Sequence, residues 1–121
     1  MKSFEFVDYK GKQIAVVDLA NTKVNEINAI LTEARNKISQ LPQKSALILT
    51  DVTNAEYNRA SSAAMKEFAN NNTPFVKASV VVGIDDLRNV LLQTISMLTG
   101  RRIKTCKDRN GAMEWLISQK D

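Results

Sequence analysis

The sequence contains no histidine and one cysteine, Cys106. Without histidine there is no Ser-His-Asp or Cys-His arrangement and no imidazole-ligated zinc. The usual side chain that titrates near neutrality is missing as well. A lone cysteine cannot close an intrachain disulfide or build a cysteine-rich metal site. No apolar run approaches the roughly 20 residues of a membrane-crossing helix; the longest lie around Ser79–Ile84 and Val90–Leu92. The opening MKSFEFVDYKGK has no apolar core of the kind a secretory signal needs. GxGxxG, GxxxxGK and GxSxG are all absent. Together these absences predict a cytoplasmic protein with no membrane span, no cofactor and no metal. An enzyme built from this chain would rely on carboxylates, lysine, hydroxyls or backbone dipoles, and a non-enzyme is expected.

What remains is ordinary globular material. The chain has 121 residues, 44% of them hydrophobic and 25% charged, enough for a single domain over 1–121 with one core. The net charge is +4, and the Arg101–Arg109 segment, RRIKTCKDR, carries five positive charges and one negative. Nucleic-acid binding would want aromatic side chains interleaved with that charge to stack bases. None is there, so the segment reads as a solvated edge strand and its flanks.

Alternation and helical spacing divide the chain into nine elements. Phe4–Tyr9 reads as a strand, Lys10-Gly11-Lys12 as a compact turn, and Ile14–Leu19 as the returning strand. Val24–Ile38 has helical spacing, with Asn21 or Thr22 available as its cap. Ser45–Asp51 is nearly continuous apolar sequence, as a strand buried on both faces should be. Asn58 caps a helix over Arg59–Asn71, and Asn70-Asn71-Asn72 supply a residue tolerant of a left-handed C-terminal turn. Lys77–Gly83 is a fourth strand. Asp85 or Asp86 caps a third helix across Leu87–Leu98, closed by Gly100. Ile103–Cys106 is a fifth strand, and Asp108 caps a final helix over Ala112–Gln119. The order β-β-α-β-α-β-α-β-α predicts an α/β fold with a mixed, mostly parallel five-stranded sheet and four helices. Its first strand is antiparallel at or near an edge.

In such a sheet, ligands and partners meet the protein beyond the carboxyl ends of the strands. The loop opened by Asp51 and Thr53 and closed by Asn58 is therefore the first candidate surface. Asp18, Asp51 and Asp85 all fall at strand ends, where gathered carboxylates could hold Mg²⁺ or accept a phosphoryl group; each also serves as an ordinary turn former or helix cap. Ser61 and Ser62, in the first turn of the second helix, are candidate phosphorylation sites. A phosphate there would meet free N–H groups and the positive end of the helix dipole. Lys77 and Arg101 are candidate anion binders. The third predicted helix carries apolar residues over more than half its circumference. The surplus, Leu92 above all, points to a second burial partner: a protein target, a homodimer mate or a small apolar ligand.

YKGK (Tyr9–Lys12), LTDVT (Leu49–Thr53), KEF (Lys66–Phe68), PFVKASVVVG (Pro74–Gly83), GR (Gly100-Arg101) and EWL (Glu114–Leu116) resemble, in order and over nearly the whole chain, the small bacterial STAS/SEC14-domain proteins related to SpoIIAA. The resemblance implies the SpoIIAA-like fold and a non-enzymatic protein-interaction or regulatory role. Anti-anti-sigma members of the family bind partner kinases and are switched at a serine in an Asp-Ser motif. Aligned from Asp51, this chain has Arg59-Ala60 at that motif and Ser61 just beyond. SEC14-type relatives imply the alternative, a carrier of a lipid or other small apolar ligand beneath the third helix, with Lys77 or Arg101 at an anionic head.

Overall fold

The computed structural model describes residues 3–56, 58–84, 93 and 103–119. Its first two strands, β1 (Phe4–Tyr9) and β2 (Lys12–Asp18), pair antiparallel from Phe4↔Val17 to Tyr9↔Lys12. The turn is therefore two residues long, one fewer than the sequence predicts. Lys10 and Gly11 both have positive φ, 50° and 86°, the backbone that matches the twist of a tight hairpin. The second strand accordingly starts two residues earlier than its apolar run.

Helix α1 (Val24–Ile38) follows, then β3 (Ala46–Asp51), α2 (Arg59–Asn72), a 3₁₀ turn (Thr73–Phe75), β4 (Val76–Val82), β5 (Ile103–Cys106) and a C-terminal helix α3 (Arg109–Ile117). The sheet order is β1-β2-β3-β4-β5, with β2 through β5 parallel to one another and β1 antiparallel at one edge. This is a mixed α/β fold with a five-stranded sheet and three helices among the described residues. Of the helix predicted over Leu87–Leu98 only Gln93 is described, helical and exposed; Leu92, Asp85 and Arg101 lie outside the described residues. No helix among the described residues is long and apolar enough to cross a membrane.

Strand alternation sends two apolar sets to opposite faces. Ala15 and Val17 of β2 and Ala46 and Ile48 of β3 pack against Ile27, Ile30, Leu31, Ala34 and Ile38 of α1 and Phe68 of α2. Ile14, Val16, Leu47, Leu49, Val80 and Val82 face Ala112 and Leu116 of α3. Every residue of β3 is buried, its apolar Ala46–Leu49 as a strand covered on both faces requires and its polar Thr50 and Asp51 as well. Leu49 is fully covered at the centre of the sheet, where truncation to alanine typically costs about 2–5 kcal/mol.

One irregularity matters later. Ala46 pairs with Val76 but Leu47 pairs with Ala78, so Lys77 is an extra residue in β4. This β-bulge lets Val76 and Ala78, two apart, face opposite layers.

Several sequence expectations are corrected. The cap position of α1 is Lys23, not Asn21 or Thr22. Asn21 is instead left-handed at φ 60°, and the Thr22 hydroxyl donates to the Leu19 carbonyl. No left-handed turn follows Asn70-Asn71-Asn72: Asn72 stays right-handed, and the chain tightens directly into the 3₁₀ turn carrying Pro74. The Thr73 hydroxyl satisfies the Ala69 carbonyl there. Helix α3 begins three residues before the predicted Ala112, because Asp108 caps it at once by accepting the Gly111 N–H at 2.7 Å, and it stops at Ile117 with Ser118 as its C-cap, short of the predicted Gln119.

Candidate functional site

The carboxyl ends of β2 and β3 stop level, with Asp18 opposite Asp51. Two carboxylates side by side repel unless a cation intervenes. Arg109, the first residue of α3, supplies it. Its Nε donates to Asp51 Oδ2 at 2.8 Å, and its Nη2 lies 3.1 Å from Asp18 Oδ1. The other Asp51 oxygen accepts both the N–H (3.0 Å) and the hydroxyl (2.7 Å) of Thr53. Asp18 Oδ1 also accepts the Ala20 N–H at 3.0 Å. Burial alone would push the Asp51 carboxyl up. The two Thr53 hydrogen bonds, then Arg109, outweigh it and hold the group below the usual aspartate range. Arg109 is opposed by its own burial yet raised further by Asp51 and Asp18.

The loop after β3 is fastened rather than free. Leu19 N–H donates to Asp51 O at 2.8 Å, Asn21 N–H to Thr53 O at 2.9 Å, and Glu56 N–H to Thr22 O at 2.9 Å. Val52 N–H donates to Val82 O at 2.9 Å, joining the end of β4. The Glu56 carboxylate takes the Val24 N–H at 2.9 Å, while Glu26 takes that of Lys23 at 2.9 Å. The loop thus caps α1 from outside. On the other flank, Gly83 has φ 82°, and a Cβ there would fall 2.1 Å from Thr53 Oγ1 and 2.9 Å from its backbone. Only glycine lets the end of β4 pass so close to Thr53.

Asn58 is the cap of α2. Its side chain accepts the Ser61 N–H at 2.9 Å, while Ser61 Oγ accepts the Asn58 N–H at 2.9 Å. The reciprocal pair leaves Ser61 only 4% exposed, with its hydroxyl engaged. Ser62, half-buried, is the more accessible of the two candidate phosphorylation sites. Thr53, Asn54, Glu56 and Asn58 through Ala60 form the exposed crest.

Of the residues singled out from sequence, Asp18, Asp51, Thr53, Asn58, Ser61 and Ser62 share this rim. Lys77 does not: it sits at the start of β4, at the opposite end of the sheet. Leu92, Arg101 and Asp85 lie outside the described residues. Among the described residues no group of three or more acidic or cysteine side chains is placed to hold a metal, and Asp18 and Asp51 have Arg109 between them. Arg109 and Glu56 were missed. For Arg109 the available signal was two aspartates closing adjacent strands, an arrangement that calls for a counter-ion. Nothing local distinguishes Arg109 from the other bases of its segment, since its partner Asp51 is 58 positions away. No protein-family model matches the chain, and no curated protein matches it either.

Proposed function

We propose that this chain is a non-enzymatic, cytosolic, STAS-like protein-interaction and regulatory module, which docks a protein partner on the Asp51–Asn58 loop and the first turn of α2. One observation carries the reading: the crest is exposed while its backbone is fastened to the β2–α1 connection and to β4 by four hydrogen bonds. A surface already held in shape loses little conformational entropy on binding, so its contacts count more fully toward affinity. The polar side chains beneath it are engaged with one another: Asp51 with Thr53 and Arg109, and Ser61 with Asn58. The exposed Asn54 and Arg59 are left to define a partner's contacts.

Photo-crosslinking tests this. A benzophenone side chain is placed at Arg59 or Ala60 in cells, with exposed Asn36 on α1 as control. A discrete protein adduct from the first two and not from Asn36 is expected, and an adduct of twice the chain mass would make the partner a second copy. No discrete adduct, or the same adducts from Asn36, would overturn the proposal.

A further inference from the structure

The sheet has two edges, β1 and β5, and they are built differently. β5 is four residues long and exposes Lys104 and Thr105, with Lys107 exposed just beyond it. A short strand carrying lysine is a common way to keep an edge from pairing with another chain. β1 has neither device. It is six residues long, FEFVDY, holds no lysine or proline, and follows β2 through an unbroken register with no bulge. Such an edge is a template for a further strand.

Register decides which backbone groups face outward. Asp18 N–H donates to Ser3 O at 2.8 Å, one step beyond the Phe4↔Val17 pair. Bonded and non-bonded pairs alternate along an antiparallel ladder, so Glu5, Val7 and Tyr9 exchange hydrogen bonds with β2. The N–H and C=O groups of Phe4, Phe6 and Asp8 point away from β2 and bond nothing among the described residues. The Phe4 and Phe6 rings lie in the layer of α1, edge to face with centroids 5.3 Å apart. Val7 and Tyr9 lie in the layer of α3. Phe6 and Val7 are only half-buried, and Asp8 is exposed.

We infer that β1 pairs antiparallel with β1 of a second copy across a two-fold axis, joining two five-stranded sheets into one. Charge favours a second copy at this edge. The chain carries +4, yet β1 holds two acidic residues and no basic one. Pairing through β1 leaves Lys104 and Lys107 of the two copies at the far edges of the joined sheet. The strand is also complementary to itself in one register. Outward groups sit at Phe4, Phe6 and Asp8 alone, so these must face one another, and the like-charged match of Glu5 with Asp8 is excluded. With Phe6 opposite Phe6, Phe4 meets the second copy's Asp8, and every outward group is bonded. Sliding the strands one way sets Glu5 against Glu5, a repulsive pair. Sliding them the other way sets Phe4 against Lys10, whose φ of 50° belongs to the turn and ends the ladder. In the surviving register Glu5 faces the second copy's Val7. This contact stands apart from the Asp51–Asn58 crest, and either can fail alone.

Sedimentation equilibrium across micromolar to millimolar concentrations should show a monomer–dimer equilibrium. Asp8→Pro deletes an N–H that β2 does not use, a change that edge strands tolerate. Its thermal midpoint should therefore hold while self-affinity falls by about tenfold or more. Asp8→Asn keeps the N–H and should dimerise like the wild type. Oxidation reads the register. In a Cys106→Ala background, Glu5→Cys chains mixed with Val7→Cys chains should link far more readily than either chain alone. Facing residues of a non-bonded pair lie about 4.5 Å apart at Cα, within reach of a disulfide. If Asp8→Pro does not fold, the oxidation experiment decides by itself. The proposal is overturned by a monomer at every concentration, by a dimer that a folded Asp8→Pro leaves undiminished, or by equal linkage of either chain alone.

Discussion

The two ends of this sheet treat charge and polarity in opposite ways. At the carboxyl rim, Asp18, Asp51, Arg109 and Thr53 satisfy one another, and backbone bonds tie three connections together. At the amino end, Lys12, Lys44 and Lys77 line a concavity, with Lys12 donating to the Ile117 carbonyl and Lys77 engaged as well. Close by, where α2 gives way to the 3₁₀ turn before β4, Asn72 is 1% exposed, and its amide finds no hydrogen-bond partner among the described residues. The difference shows what a strand end is suited for. Where polar groups are used up internally, the product is an outer surface held in shape; at the amino end the Asn72 amide is left buried without a partner among the described residues.

The contrast is broken most severely at the rim by Gly83→Ala. The new methyl group would strike Thr53 at a left-handed backbone position. Strain and overpacking together should cost about 3 kcal/mol, read as a lower urea midpoint. A midpoint within error of the wild type would show that the Thr53 approach is not tight.

Next comes Arg109→Met, which leaves two aspartates facing each other. Because the guanidinium is partly exposed, the loss should be roughly 1–2 kcal/mol at neutral pH rather than that of a fully buried pair. The pH dependence gives a sharper check. The folded Asp51 carboxyl lies below its unfolded value, so its contribution is fully present above about pH 4. It is lost as the pH falls through the folded value. Urea titrations at neutral and acid pH should show this loss in the wild type and a flatter profile in the variant. Equal profiles would remove Arg109 from the account.

Asn58→Ala should cost about 1 kcal/mol by uncapping α2. Combined with Ser61→Ala, the loss should fall short of the sum, because each residue serves the other. At the amino end the sign reverses. Asn72→Leu should leave stability unchanged or raise it by about 1 kcal/mol, since an unpaired buried amide is replaced by apolar volume. A marked loss in thermal unfolding would reveal a partner for the amide.

Much of the frame was legible in the chain itself. Alternation marks β1 and β2, the nearly continuous apolar run marks β3, and the Ile27, Ile30, Leu31, Ala34 and Ile38 spacing marks α1, because these patterns are direct records of burial. The cap by Asn58 was legible too, being a local hydrogen bond. The miscast positions depend on what is far away. Asn21 was passed over as a cap because its N–H pairs with Thr53 in another connection. The asparagine run made no left-handed turn because Pro74 carries the chain on into a 3₁₀ turn. Lys77 has nothing in its neighbourhood to announce a bulge, which exists only in register with Ala46 and Leu47. The rim as a location followed from topology. Its ion triad did not, since Arg109 reaches Asp18 and Asp51 only once α3 is packed across the sheet.

That packing also sets a timetable for synthesis. Tyr9 and Lys10 both donate to the Glu114 carboxylate, a contact spanning 105 positions in the case of Tyr9. The face made by Ile14, Val16, Leu47, Leu49 and Val80 is written into the chain by residue 82, yet the described helix that covers it arrives only with residues 109–117. At roughly 5–20 residues per second, Ala112 and Leu116 join that face seconds after Val80 has been made. The order of the chain thus completes this half of the core only once α3 has been made.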